Sequence, residues 1–151
     1  MLSIRFALRF ALPLIAMLAV PAAAETSLFG KSDAKQDFLP VDQAFELQPL
    51  ELRHGRLLVG WRIAKDYYLY RHRLKFSLVS PAGATLGEPS LPAGEKHMDE
   101  HFGETEVYRD LLEVSFPAPA ANTPVQLKVV YQGCADAGLC YPPQTRTLDN
   151  R

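Results

Sequence analysis

Cysteine is scarce in this chain: two residues in 151 allow a single bridge and exclude a fold held together by a disulfide framework. An excess of positive charge is missing as well. Sixteen basic residues stand against 17 acidic ones, which excludes the strongly basic balance of a nucleic-acid binder. A continuous run of about 20 apolar residues, the length a helix needs to cross a bilayer, is also lacking. The apolar stretch from Phe10 to Val20 has 11 residues and contains Pro13. After residue 24, no segment keeps apolar residues at i, i+3, i+4 and i+7 over three turns, so long amphipathic helices are excluded. What remains is 48% hydrophobic and 22% charged, with 12 Pro and 9 Gly. That is the profile of one globular domain, and it excludes a collagen-like or low-complexity chain.

Residues 1–24 read as a secretory signal. Arg5 and Arg9 supply the positive n-region, Phe10 to Val20 the apolar region, and Ala22-Ala23-Ala24 an A-x-A cleavage site before Glu25. Cleavage would leave residues 25–151 as a single mature domain of 127 residues, with 14 basic and 17 acidic residues and a net charge of −3. Neither nucleic acid nor an anionic membrane surface is then an expected partner. Export also permits the two cysteines to pair.

Residues 25–40 are polar with isolated apolar positions, a lead-in without core periodicity. Beyond them the period is two. Leu57, Val59, Trp61 and Ile63 share one face of a predicted strand. Leu74/Phe76/Leu78, Leu112/Val114/Phe116 and Val125/Leu127/Val129/Tyr131 alternate with polar residues in the same way. Turn signals at His54-Gly55, Ser80 to Gly83, Pro92 to Gly94, Pro117 to Pro124 and Pro142-Pro143 separate them. Short strands joined by Pro/Gly turns predict an all-β, antiparallel β-sandwich.

Cys134 and Cys140 follow the most regular of these strands, with five residues including Gly138 between them. This spacing suits a hairpin that returns one sulfur to the other. Under the chain-entropy model a loop of seven residues contributes only about 2.4 kcal/mol, less than a bridge between distant strands. Spacing alone therefore leaves two readings open, a structural bridge, which is the usual fate of such a pair in an exported domain, and a redox pair. A zinc cage is disfavoured, because no second Cys-x-x-Cys or His-x3-His pair accompanies the two thiols.

The run Tyr131-Gln132-Gly133-Cys134-Ala135-Asp136-Ala137-Gly138-Leu139-Cys140-Tyr141-Pro142-Pro143 closely resembles the active-site loop of the N-terminal periplasmic domain family of the bacterial thiol:disulfide interchange protein DsbD. Phe38 to Phe45, Trp61 to Ala64, Tyr67 to Arg71 and Glu106 to Asp110 agree in order and spacing. The resemblance implies an immunoglobulin-like sandwich in the periplasm, without a cofactor or a metal. It implies a disulfide that takes electrons from a thioredoxin-like domain of DsbD or an equivalent membrane reductase. Periplasmic disulfide isomerases and a thioredoxin-like cytochrome-maturation protein would receive them. Carried over by position, Cys134 and Cys140 are the redox pair, with Cys140 forming mixed disulfides; Tyr68 and Tyr70 line the site and Asp99 and Glu100 flank it. The family's cap loop reads D-E-F-Y-G, whereas here Asp99-Glu100-His101-Phe102-Gly103 puts His101 in the place of the shielding Phe. Either His101 or Phe102 fills that role.

Asp99, Glu100 and Asp136 are candidates to raise the thiol pKa, since negative charge disfavours a thiolate. Gly94 and Gly103 are candidate hinges for a cap over Glu95 to Phe102. Trp61 reads as core, and Tyr108 with Arg109-Asp110 as packing and surface pairing. Two alternatives stand beside the redox reading. One is an immunoglobulin-like periplasmic binding module with a purely structural bridge; the other is a copper protein using His97, Met98 and His101.

Overall fold

Alternating patterns become strands throughout the computed structural model, which describes residues 37–119 and 124–150. The predicted signal, residues 1–24, lies outside them. In chain order, one helical turn, α1 (Val41–Ala44), leads into β1 (Phe45–Leu47), β2 (Glu51–Arg53), β3 (Arg56–Ile63) and β4 (Tyr67–Tyr70). A 3₁₀ turn (Arg71–Arg73) precedes β5 (Lys75–Ser80), β6 (Glu95–Asp99), β7 (Gly103–Tyr108) and β8 (Leu111–Pro117). β9 (Gln126–Tyr131), β10 (Gly133–Ala135) and β11 (Gln144–Asp149) complete the described chain. Every strand pairing is antiparallel.

Three sheets result. In the first, β1 and β2 pair opposite ends of one edge of β3 and β8 pairs the other edge from Arg56 to Arg62; the second has the order β10-β4-β7-β6 and the third β11-β9-β5. The predicted inward faces are the observed ones: Leu57, Val59, Trp61, Ile63, Leu112, Val114, Phe116, Leu127, Val129 and Tyr131 are all buried. Register places Leu57 opposite Phe116, Val59 opposite Val114 and Trp61 opposite Leu112, so one face of the first sheet is continuous apolar surface. The third sheet covers it. Trp61 of β3 meets Tyr131 of β9 and Phe76 of β5 edge-on, at centroid distances of 5.6 and 6.3 Å, and Phe76 meets Phe116 of β8 at 4.9 Å. These contacts between layers form the centre of the expected immunoglobulin-like antiparallel β-sandwich.

The second sheet positions the site. All four residues of β4 are buried, and the strand period sends alternate side chains to opposite sides. Tyr67 and Leu69 join the main core, whereas Tyr68 and Tyr70 form a separate cluster with Val107 and Cys134. The lead-in docks over its last residues: the Leu39 amide donates to Tyr67 Oη (2.9 Å) and Tyr141 Oη donates to the Leu39 carbonyl (2.5 Å). Residues just after Cys140 are thereby tied to the beginning of the domain.

Candidate active site

Gly133 opens the strand that carries the first cysteine, and it can only be glycine. A Cβ there would lie 2.3 Å from the Tyr68 carbonyl oxygen and 2.6 Å from Phe45 Cζ, far inside van der Waals contact. The absent side chain lets β10 lie close against β4, with Cys134 directly opposite Tyr68. The chain then turns through Gly138, which takes a φ of +95°, a conformation that suits glycine. Two backbone bonds close the turn on either side of the sulfurs, Ala135 N to Leu139 O (2.8 Å) and Tyr141 N to Gly133 O (3.0 Å). Cys134 and Cys140 face each other as an isolated antiparallel bridge with Cα atoms 4.0 Å apart, and they are joined by a disulfide.

The two sulfurs are not equivalent. Cys134 is wholly buried and Cys140 exposed. Cys140 lies at one wall of a recess of about 170 Å³ that Tyr68, His97, Asp99, Glu100, His101 and Asp136 also line. A nucleophile from solution can reach Cys140 and is denied Cys134.

Tyr70 connects the buried sulfur to a charge. Its hydroxyl lies 3.2 Å from Cys134 Sγ and 4.0 Å from Cys140 Sγ, and it donates to the carboxylate of Asp99. Asp99 is the one buried charged side chain among the described residues. Its other oxygen accepts from the amides of His101 (2.8 Å) and Phe102 (2.9 Å). Burial pushes the Asp99 carboxyl up, but those three donors and the nearby His101 ring together hold it below its ordinary value. Burial, then the bond to Asp99, pushes the Tyr70 hydroxyl far up. At neutral pH the pair is therefore a neutral phenol on a carboxylate. Because the single phenolic proton is committed to Asp99, Tyr70 Oη faces Cys134 as an acceptor. A Cys134 thiol can donate to it, whereas a thiolate cannot.

The predicted site residues assemble unevenly. Tyr68, Tyr70 and Asp99 converge on the sulfurs. Glu100 and His101 lie on the rim of the recess, both exposed. Asp136 is in the cysteine loop, but its carboxylate is held by both terminal nitrogens of Arg109, at 2.9 and 2.8 Å. Phe102 does not line the recess. Its ring instead caps Tyr70 edge-on at 5.2 Å and packs on His72 at 4.9 Å, with the Arg73 guanidinium 4.6 Å from its centroid. His101 thus lines the recess, whereas Phe102 lies against the Tyr70 ring.

The cap departs from the sequence reading in its form. Glu95 to Asp99 is not a loop but strand β6, paired with β7, and only the turn from Asp99 to Gly103 projects over the site. Gly94 is a point of close packing, where a Cβ would sit 3.0 Å from Glu106 Cβ and 3.1 Å from the Val107 carbonyl oxygen. Gly103, with a φ of +68°, closes the hairpin turn. Of the residues named for the copper alternative, His97 has its ring tilted against Tyr68 at 4.6 Å, Met98 is 73% exposed and His101 is exposed.

Sequence reasoning passed over Arg109, which it placed in surface pairing. Its neighbour in sequence is Asp110, whereas its partners in space, Asp136 and Glu95 (3.6 Å), come from two other segments. No local pattern announces such a contact.

Comparison with known proteins agrees with the residue pattern. The family model described as "Thiol:disulfide interchange protein DsbD, N-terminal" matches residues 35–151. A thiol:disulfide interchange protein DsbD from Cronobacter sakazakii is 46% identical over 132 residues, covering 87% of this chain and 22% of the relative. One from Pseudomonas fluorescens is 50% identical over 117 residues, 78% of this chain and 19% of the relative. The chain thus spans about a fifth of the length of these curated relatives. Among solved structures, the DsbD N-terminal domain of Neisseria meningitidis in the reduced form superposes with a TM-score of 0.65 at 39% identity, over 74% of this chain and 88% of that one. A complex between the DsbD N-terminal and PilB N-terminal domains of the same organism gives 0.63 at 38% identity, over 75% and 87%.

Proposed function

This chain belongs to the family of the periplasmic N-terminal domain of the thiol:disulfide interchange protein DsbD, and from that membership we propose that its single disulfide carries electron pairs between a thioredoxin-like donor and periplasmic acceptors. The donor is the thioredoxin-like domain of DsbD or an equivalent membrane reductase. The acceptors are disulfide isomerases and a thioredoxin-like cytochrome-maturation protein. The existence of a complex between the related Neisseria domain and a PilB N-terminal domain supports a protein, rather than a small thiol, as partner.

One observation carries the reading: the disulfide is buried at one sulfur and open at the other. Exchange requires a thiolate to approach along the S–S axis and a thiol to leave from the far end. A donor thiolate attacks Cys140 Sγ, forming a mixed disulfide and expelling Cys134 as a thiolate. That anion lies 3.2 Å from Tyr70 Oη, which Asp99 holds as an acceptor, so the sulfur takes a proton from solvent and bonds to Tyr70 as a thiol. The donor's second thiolate attacks its own sulfur in the mixed disulfide and releases Cys140. Two electrons have then passed to the domain. In the outward half, Cys140 attacks an acceptor disulfide, and Cys134 resolves the adduct by attacking Cys140 Sγ. The disulfide re-forms and the acceptor leaves reduced.

The Asp99 carboxylate, acting through Tyr70, favours the protonated form of Cys134. In the reduced domain Cys134 is therefore a slow resolving nucleophile toward Cys140 Sγ until a docked partner alters that environment. Trapping tests the assignment. A thioredoxin-like partner lacking its resolving cysteine, mixed with the Cys134→Ser variant after activation with a thiol-exchange reagent, should yield a covalent adduct at Cys140. The Cys140→Ser variant should yield none, and equal trapping by both would overturn the reading.

A further inference from the structure

The Cys134–Cys140 disulfide is closed by a loop that the chain must hold in place after the covalent link is gone. Apart from that link, backbone bonds hold the turn, together with one from the Asp136 amide to the Asp66 carbonyl (2.8 Å). The side-chain tie is Arg109. Its two terminal nitrogens bind both oxygens of Asp136, its Nε faces Glu95 of β6 at 3.6 Å, and its guanidinium carbon lies 5.1 Å from the centre of the Tyr68 ring. Tyr68 is the residue opposite Cys134 in the strand register. One side chain therefore touches the cysteine loop, the cap hairpin and the strand residue opposite the buried sulfur.

We propose that Arg109 is a positioning residue of the redox centre, which keeps Cys140 beside Cys134 in the reduced state and so sets how readily the two sulfurs rejoin. The inference rests on the carrier reading above. Ring closure in a dithiol depends on the effective concentration of one thiol at the other, which falls when the loop between them gains freedom. An isolated surface ion pair would contribute little. This one has the parallel two-bond geometry that only a guanidinium supplies, and the Arg109 side chain is 25% exposed. Asp136 lies within the loop and Arg109 outside it, so breaking the pair frees the loop without removing any group that touches the sulfurs.

The test is the equilibrium constant for oxidation against glutathione, measured for the wild-type domain and for Arg109→Gln, Asp136→Asn, the double variant and Arg109→Lys. Each single change should lower the constant threefold to tenfold, tenfold being about 30 mV toward a more oxidising potential. The double variant should match the singles rather than multiply them, because both remove the same bond. Lysine should restore only part of the effect. Urea midpoints of the oxidised and reduced forms complete the set. A single variant that lowers both midpoints equally and leaves the constant at the wild-type value would overturn the proposal, as would a multiplicative double variant. Should Arg109→Gln fail to fold, Asp136→Asn carries the same prediction. Failure of the carrier reading itself would appear instead in the wild type, as no exchange at all.

Discussion

Replacing Tyr70 by Phe removes one oxygen atom and keeps the ring, which makes it the sharpest probe of the hydrogen-bond chain Asp99–Tyr70–Cys134. The ring packs edge-on against Tyr68 at 5.3 Å and Phe102 at 5.2 Å, contacts that Phe retains. What is lost is one of three donors to a carboxylate that is only 8% exposed. A hydrogen bond to a charged group contributes about 1.5–3 kcal/mol, so the oxidised variant should lose that much stability at pH 7. The reduced variant should lose more. There the Cys134 thiol also loses its acceptor, a further ~0.5–1.5 kcal/mol for a neutral bond. Destabilising the dithiol relative to the disulfide makes the disulfide harder to reduce. At about 1.4 kcal/mol per 30 mV for a two-electron couple, the potential should move about 10–30 mV more negative. Urea denaturation of both redox forms and equilibration against glutathione measure the two quantities independently. Equal stability losses in the two forms, with an unchanged potential, would refute the claim that Tyr70 accepts from the Cys134 thiol.

Gly133→Ala should cost stability by overpacking, about 1–3 kcal/mol or more, since its Cβ has no room between Tyr68 and Phe45; the urea midpoint reads this directly. Asp99 governs the acid limb of stability. Its folded carboxyl lies below its ordinary value, so its contribution is complete above the unfolded value of about 3.9 and is lost as pH falls through the folded one. Asp99→Asn should flatten the fall of the urea midpoint between pH 5 and pH 2 and lower the plateau at pH 7. Phe102→Ala should expose Tyr70 and speed alkylation of the reduced protein by a small reagent, with each lost ring contact weakening the turn by about 0.5–1.5 kcal/mol; an unchanged alkylation rate would exclude Phe102 from shielding.

How much of this was readable in the sequence follows from where each pattern is exposed to water. β3, β8 and β9 each bury one face, and their alternating residues announced both strand and orientation: Trp61 and Tyr131 were placed correctly inside. β4 is buried on both faces, so Tyr67-Tyr68-Leu69-Tyr70 carries no alternation, and its division between core and site becomes visible only when neighbouring strands are in place. β6 and β7 form the opposite difficulty. β6 is the edge strand and β7 pairs with β4 only at Val107 and Tyr108, so the two bury Asp99, Val107 and Tyr108 and little else, and a polar sequence with two glycines resembles a hinged loop. The cysteine pair was legible as a bridge, and its redox character only through resemblance. The inequality of its two sulfurs depends on β4 covering one of them, and the neutralisation of Asp136 on an arginine 27 residues away. Neither is encoded in local spacing.

The account turns on whether the Cys134–Cys140 bridge exchanges. Equilibrating the protein with a thioredoxin redox couple and reading its thiol state by alkylation and mass shift measures this directly. The account predicts rapid, reversible exchange with a potential above about −300 mV, the region of labile and catalytic bridges. A potential below that value, with no exchange on mixing with a thioredoxin-like partner, would identify a structural bridge and contradict it.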